Sequence, residues 1–414
     1  MTPHRTPHRT GAPALRPMPR RALLALLPMG ALAACTGDDE EPAPQEPGGA
    51  ELSSPPADLA PDPVEVHERA EVVDFSTLSV PLEMEPMIVV DPGWSATPLC
   101  LGGHLLGYAN AEDRLQFTAV KQDGTVLWTA ERPLGCTAAA LTRDGDRPVA
   151  VLASVDESTD GELISVLAGY DVRTGAQLWT GVAGAVTGPG LVIGEPGSRA
   201  VLDAGSGSRR LAEEDLDGGR ILAEHAGTIL HTEGHELVAL GPDGAELWRI
   251  DLPGGLDAAA AWVPREIDSA TGWAVVTDGD AAGTVVDLAD GTIRAEKADA
   301  VARDHVMEVT VVAAGPLVRG LDAEGEELWR HQDPEPLAFL TAGERLVYAV
   351  RPQEGTLVVL DSKQGTMVHP YDVDKDAPLA VPELFTADSA AAIRVDDEAR
   401  YLVTTEFDPD FGTR

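Results

Sequence analysis

Lysine is almost missing from this 414-residue chain, with four copies against 26 arginines, and asparagine occurs once, at Asn110. Aromatic residues make up only 4%, cysteine appears three times, and no apolar run reaches the length of a membrane-spanning helix. Each scarcity excludes something. The single asparagine precedes Ala-Glu, so there is no Asn-x-Ser/Thr acceptor. Thirty basic side chains against 69 acidic ones give a formal charge of -39, which leaves no basic surface for phosphate contacts and excludes nucleic acid as a partner. No Gly-x-Ser-x-Gly elbow, Walker loop or His-Glu-x-x-His is present, so catalysis has no motif behind it. What is there is 43% hydrophobic residues, too many for wholesale disorder, together with 42 glycines and 32 prolines, which point to many turns and few long helices. Abundant arginine with little lysine or asparagine suits a GC-rich genome, such as an actinobacterial one.

The N-terminus carries an address. Basic residues ending in Arg20-Arg21 precede the apolar run from Ala22 to Leu27 and then Leu32-Ala33-Ala34-Cys35, an order that resembles an export signal with a bacterial lipobox. The resemblance implies cleavage after residue 34 and lipidation of Cys35. Paired arginines before leucines also resemble a twin-arginine signal, so either export route fits. Residues 36–65 hold seven prolines and nine acidic residues without a lysine or arginine, which predicts a solvated tether. The expected organisation is therefore a signal over 1–34, a lipidated Cys35 with its tether over 35–65, and one domain over 66–414, anchored to the outer face of the cell membrane.

Beyond Cys35 only Cys100 and Cys136 remain. In an oxidising compartment such a pair favours a disulfide, with two buried thiols as the alternative.

The rest of the chain repeats itself about every forty residues. Aligned on glycine, the clearest copies run from Asp123-Gly124 to Trp128, Thr174-Gly175 to Trp179, Asp243-Gly244 to Trp248 and Glu324-Gly325 to Trp329. Weaker copies at Gly207, Gly291 and Gly365 keep the turn without the tryptophan. A β-rich run such as Thr356-Leu357-Val358-Val359-Leu360 precedes each glycine, and another short strand follows it. A glycine at the reversal supplies the positive φ a tight hairpin needs, and preceding residues such as Asp123 supply an acceptor. Each unit is then a small antiparallel sheet with two apolar faces, which it can bury only against neighbours. Four tryptophans in one register act as wedges between sheets, and the architecture expected is an all-β propeller.

The pattern Asp-x-x-x-Gly-x-x-x-Trp, clearest from Asp171 through Gly175 to Trp179, resembles the PQQ-like repeat of quinoprotein alcohol dehydrogenases and BamB-like assembly lipoproteins. The likeness covers about residues 98–370. Seven turn units, plus a composite one closed by an N-terminal strand such as Ala70–Phe75, give eight blades of four strands; seven blades is the alternative.

For a quinoprotein, the resemblance implies an adjacent cysteine pair over the cofactor and a Glu-Asn-Asp calcium set. Cys100 and Cys136 are far apart and Asn110 stands alone, so no such residue carries over, and neither PQQ nor calcium is expected. Asp372, Asp374, Asp376 and Glu383 have the spacing of a calcium loop, but Ala377 stands where such a loop needs glycine, so a solvated acidic loop is the reading preferred. The function expected is a monomeric, non-catalytic binding or scaffold module of the cell envelope, with a protein or polymer as partner. A PQQ-dependent oxidoreductase and an envelope sensor are the alternatives.

Overall fold

The computed structural model describes residues 60–157, 163–264, 266–267, 272–279, 282–395 and 400–409. The expected export signal, Cys35 and most of the expected tether lie outside them. The described chain is an eight-bladed β-propeller. Blade 1 comprises Leu99–Leu101, His104–Ala111, Arg114–Lys121 and Thr125–Pro133, running from the channel outward. Blade 2 comprises Ala139–Asp144, Arg147–Glu157, Leu163–Asp171 and Gln177–Ala183. Blade 3 is reduced to Val192–Ile193, Ala200–Leu202 and Arg209–Ala212, and its inner strand survives as a single bridge between Val186 and Ile193. The inner strands of blades 4 to 8 are Ile221–His225, Ala260–Trp262, Ala300–Asp304, Ala338–Gly343 and Ala380–Phe385. Glu266–Ile267, from blade 5, pairs in parallel with the inner strand of blade 1. Blades 1 and 5 oppose each other in a ring of eight, so this pairing spans the channel.

The closing blade combines both ends of the chain. Ala380–Phe385, Ala391–Val395 and Arg400–Phe407 supply three strands, and Met87–Trp94 supplies the outer one. This corrects the expected closing strand: within Ala70–Phe75, the strand is Glu71–Val73, and it adds a fifth strand outside Met87–Trp94. Just before it, Val64–Arg69 adds to the outer edge of blade 1. Arg132, fully buried, fixes this strap by donating to the Pro61 carbonyl and the Tyr170 hydroxyl.

The repeat glycines all have positive φ, between 66° and 86°. They occupy two kinds of turn. Gly124, Gly244 and Gly325 close four-residue turns, each donating its N–H three residues back. Gly175, Gly207, Gly291 and Gly365 close five-residue turns, donating to Asp171, Asp203, Asp287 and Asp361. The longer turn is the receptacle for tryptophan. Trp128, Trp179, Trp248 and Trp329 each donate from Nε1 to the carbonyl that follows the aspartate in the next blade, at Val172, Ala204, Leu288 and Ser362, over 2.6–3.0 Å. Their rings lie against the glycine of that same turn. Inside its own blade each tryptophan pairs with a small residue, Ala119, Gly169, Ala239 or Gly320.

Buried carboxylates reinforce neighbouring blades. Asp304, fully buried at the end of the inner strand of blade 6, accepts from the Arg345 N–H and the Ser362 hydroxyl of blade 7. Glu224 of blade 4 accepts from Thr142 of blade 2 and from the Leu191 N–H beside the reduced blade 3. Burial raises the Glu224 carboxyl above the ordinary range despite these donors.

Cys100 and Cys136 are buried thiols and no disulfide joins them, which corrects the pairing favoured above. Cys100 packs between blades 8 and 1 with Val90, Trp94 and Leu105, whereas Cys136 packs between blades 2 and 3 with Ala140, Leu167 and Trp179. A whole blade interface separates the two cores. Intact mass after alkylation under native conditions is expected to show neither thiol modified, and after unfolding without reductant to show both; a mass two hydrogens short would overturn this.

Candidate functional site

The inner strands of a propeller have no neighbour on the axis side, so their residues line whatever space the ring leaves. Here that space contains a cavity of about 260 Å³ bounded by the inner strands of blades 5 to 8. Trp262 ends the inner strand of blade 5 and is 50% exposed, while Trp273 opens the next strand and is buried. Their rings meet with centroids 5.0 Å apart at an angle of 52°, a tilted contact that holds the exposed indole in place. Phe339, Leu384 and Phe385 complete an apolar wall.

Polar groups interrupt that wall on two sides. Glu383 accepts from Arg394 Nε at 2.6 Å, from the Tyr401 hydroxyl at 2.9 Å and from the Thr97 hydroxyl at 3.1 Å, so both its oxygens are engaged. Burial, and then the adjacent Glu383 carboxylate, push the Tyr401 hydroxyl up to about 12, which keeps it a donor at neutral pH. On the other side, Arg303 and His305 of blade 6 line the cavity. The Nε of Arg303 is enclosed and has no hydrogen-bond partner among the described residues.

The residues singled out from the sequence fall elsewhere. The four repeat tryptophans and seven glycines build blade interfaces and turns. Asp372, Asp374 and Asp376 are exposed between blades 7 and 8, with the Asp372 side chain accepting from the Asp374 N–H, while Glu383 faces Arg394 inside the ring. The four carboxylates are not assembled, and among the described residues no group of three or more His, Cys, Asp or Glu is placed to hold a metal ion. Asn110 is exposed on the second strand of blade 1 and is not among the residues lining the cavity. Among the described residues, Glu383 is the one carboxylate lining the cavity, and both its oxygens already accept hydrogen bonds. Sequence reasoning did not place Trp262, Trp273 or Arg303 at a site, although Trp273-Ala274-Val275-Val276 reads as a strand. The one available signal was that Trp262 and Trp273 stand outside the repeat register.

No curated protein matches this chain. Among solved structures it is similar to BamB from Moraxella catarrhalis, at 14% identity over 76% of this chain and 95% of that one, with a TM-score of 0.43. It is also similar to Sqt1 of Saccharomyces cerevisiae, at 8% identity over 83% of this chain and 97% of that one, with a TM-score of 0.37. A family model described as outer membrane protein assembly factor BamB matches residues 88–188 and 165–406, from the closing strand of blade 8 around the ring to its last strand. By that match the chain belongs to the BamB family of PQQ-like β-propellers.

Proposed function

We propose that this chain is exported, anchored to the membrane through a lipidated Cys35, and works as a non-catalytic binding module for a protein of the cell envelope. The observation that carries the binding role is the channel cavity, where the framework of four blades holds Trp262 half exposed over Trp273. A large apolar side chain held in place at the rim of a concave, mostly apolar site is the usual form of a recognition surface. The family description, an outer-membrane assembly factor, supports a protein partner. The sequence between Cys35 and the first described residue would allow a reach of roughly 90 Å at most from the lipid.

Two measurements test this. Cys35→Ala is expected to move the protein from the detergent phase to the aqueous phase on Triton X-114 partition; unchanged partition would overturn the anchor. A photo-crosslinking residue replacing Trp262 in living cells is expected to give a discrete adduct, identified by mass spectrometry as an envelope protein, which the same residue at exposed Glu246 does not give. A protease-resistant smear would assign an envelope polymer instead, and no adduct would overturn the binding role.

A further inference from the structure

We propose that the channel cavity captures an aromatic carboxylate, with Arg303 as the anion partner, and that its occupant is the free C-terminal residue of a partner polypeptide. This deepens the binding role proposed above and rests on it.

Charge carries the argument. In a chain with 69 acidic and 30 basic residues, arginines are readily captured by carboxylates. Arg351 is held by Asp333, Arg294 by Asp287, Arg400 by Asp91, Arg394 by Glu383, and Arg249 by three glutamates. Among the described residues Arg303 has no carboxylate partner, and its Nε has no acceptor. A guanidinium offers five donors in a planar fork shaped for a carboxylate, and leaving an enclosed charged donor unmatched is costly. Arg132, Arg143, Arg199 and Arg319 also have an unmatched Nε, although Arg132 and Arg199 donate from Nη to backbone carbonyls. Arg143, however, faces a space of only about 40 Å³, and Arg319 is not among the residues lining either cavity.

The remaining walls set the rest of the ligand. Trp262, Trp273, Phe339 and Phe385 favour an aromatic body. Both oxygens of Glu383 already accept, from Arg394, Tyr401 and Thr97, so an amine finds an occupied carboxylate where an anion finds Arg303. Size narrows it further. At about 260 Å³ the cavity is at or below the low end for small-molecule sites, so it admits one terminal residue and not a folded segment. The backbone of an internal peptide segment has no charge to offer Arg303, and an internal Asp or Glu brings a carboxylate without an aromatic ring; a terminal aromatic residue or a free aromatic acid carries both on one residue.

The test uses the full-length, detergent-solubilised protein, titrated by calorimetry and by tryptophan fluorescence. The probes are a hexapeptide ending in phenylalanine with a free carboxylate, the same peptide amidated, N-acetylphenylalanine, and PQQ. The free acid is expected to bind roughly tenfold or more tightly than the amide. Arg303→Gln is expected to bring the acid down to the affinity of the amide, and Arg303→Lys to restore part of the gap, with the melting temperature unchanged in both. Trp262→Ala is expected to weaken acid and amide alike. Tighter binding of the peptide than of N-acetylphenylalanine assigns the occupant to a polypeptide end, whereas equal binding assigns it to a free acid and overturns that half of the proposal. Equal binding of acid and amide, an acid preference that survives Arg303→Gln, or binding of PQQ alone would overturn the carboxylate site. A Trp262 crosslink to an envelope protein would survive each of those failures, so the two readings fall separately.

Discussion

Replacing Trp128 with alanine is expected to lower the unfolding free energy by about 3–5 kcal/mol. Trp128 is fully buried, lies against Gly175 and opposite Ala119, and donates to the Val172 carbonyl over 2.7 Å. Its loss removes a large aromatic surface, opens a void between blades 1 and 2, and leaves a buried carbonyl without its donor. Trp128→Phe, which keeps most of the ring, is expected to cost clearly less. The receptacle is tested from its other side. An alanine Cβ at Gly291 would sit 2.8 Å from the Trp248 ring at a φ of +75°, so clash adds to backbone strain. At Gly244 the φ is +80° but no atom lies within 4 Å, so Gly244→Ala is expected to cost only about 1–2 kcal/mol of strain. Urea unfolding of the four variants checks the order. Equal midpoints for Gly291→Ala and Gly244→Ala would show that the tryptophan does not depend on the turn beneath it.

This pairing explains why the tryptophan is present in some repeats and missing in others. A tryptophan in one blade goes with a five-residue turn in the next, where the carbonyl after the aspartate is turned toward it. The four-residue turns of blades 4 and 6 follow blades that carry Leu211 and Ala295 in that register, and Gly124 of blade 1 meets Val90 and Thr405 of the closing blade. His369 of blade 7 faces a blade whose third and outer strands come from opposite ends of the chain and have no turn between them. The repeat was legible because turn and wedge recur at every interface and leave a fixed spacing in the sequence. The closing strand was not. Met87–Trp94 contains Pro92-Gly93, which reads as a turn, yet the structure absorbs the pair in a register shift between Val90 and Trp94. The site was not legible either, because inner strands face the channel, and each meets a different part of it. Ala300-Val301-Ala302-Arg303-Asp304 therefore shares no pattern with Ala338–Gly343 or Ala380–Phe385, and nothing in the sequence marks Arg303 as unmatched.

The closing strand leads to the other large effect. A chain lacking its first 73 residues is expected to fold cooperatively, because Val64–Arg69 and Glu71–Val73 only add to outer edges and leave Val64 and Val72 exposed. A chain lacking its first 94 residues is expected not to close. It loses Val80, Met84, Val89, Val90 and Trp94, each no more than 1% exposed, and with Trp94 the donor to the Thr118 carbonyl of blade 1. At about 1.5–3 kcal/mol for each buried side chain, that loss is comparable to the roughly 5–15 kcal/mol that holds a typical domain folded. It also bares the edge of Arg400–Phe407, a row of unpaired backbone groups beside an apolar face, so aggregation is the expected outcome. Circular dichroism melts and size-exclusion chromatography of the two truncations check the difference. Adding a peptide that spans residues 74–94 is expected to restore a soluble, cooperatively melting protein, since the missing strand is held by hydrogen bonds and packing and needs no covalent link to blade 1. A cooperative melt of the shorter chain within a few degrees of the longer one, with no peptide present, would show that seven blades and three strands of the eighth hold the ring without it.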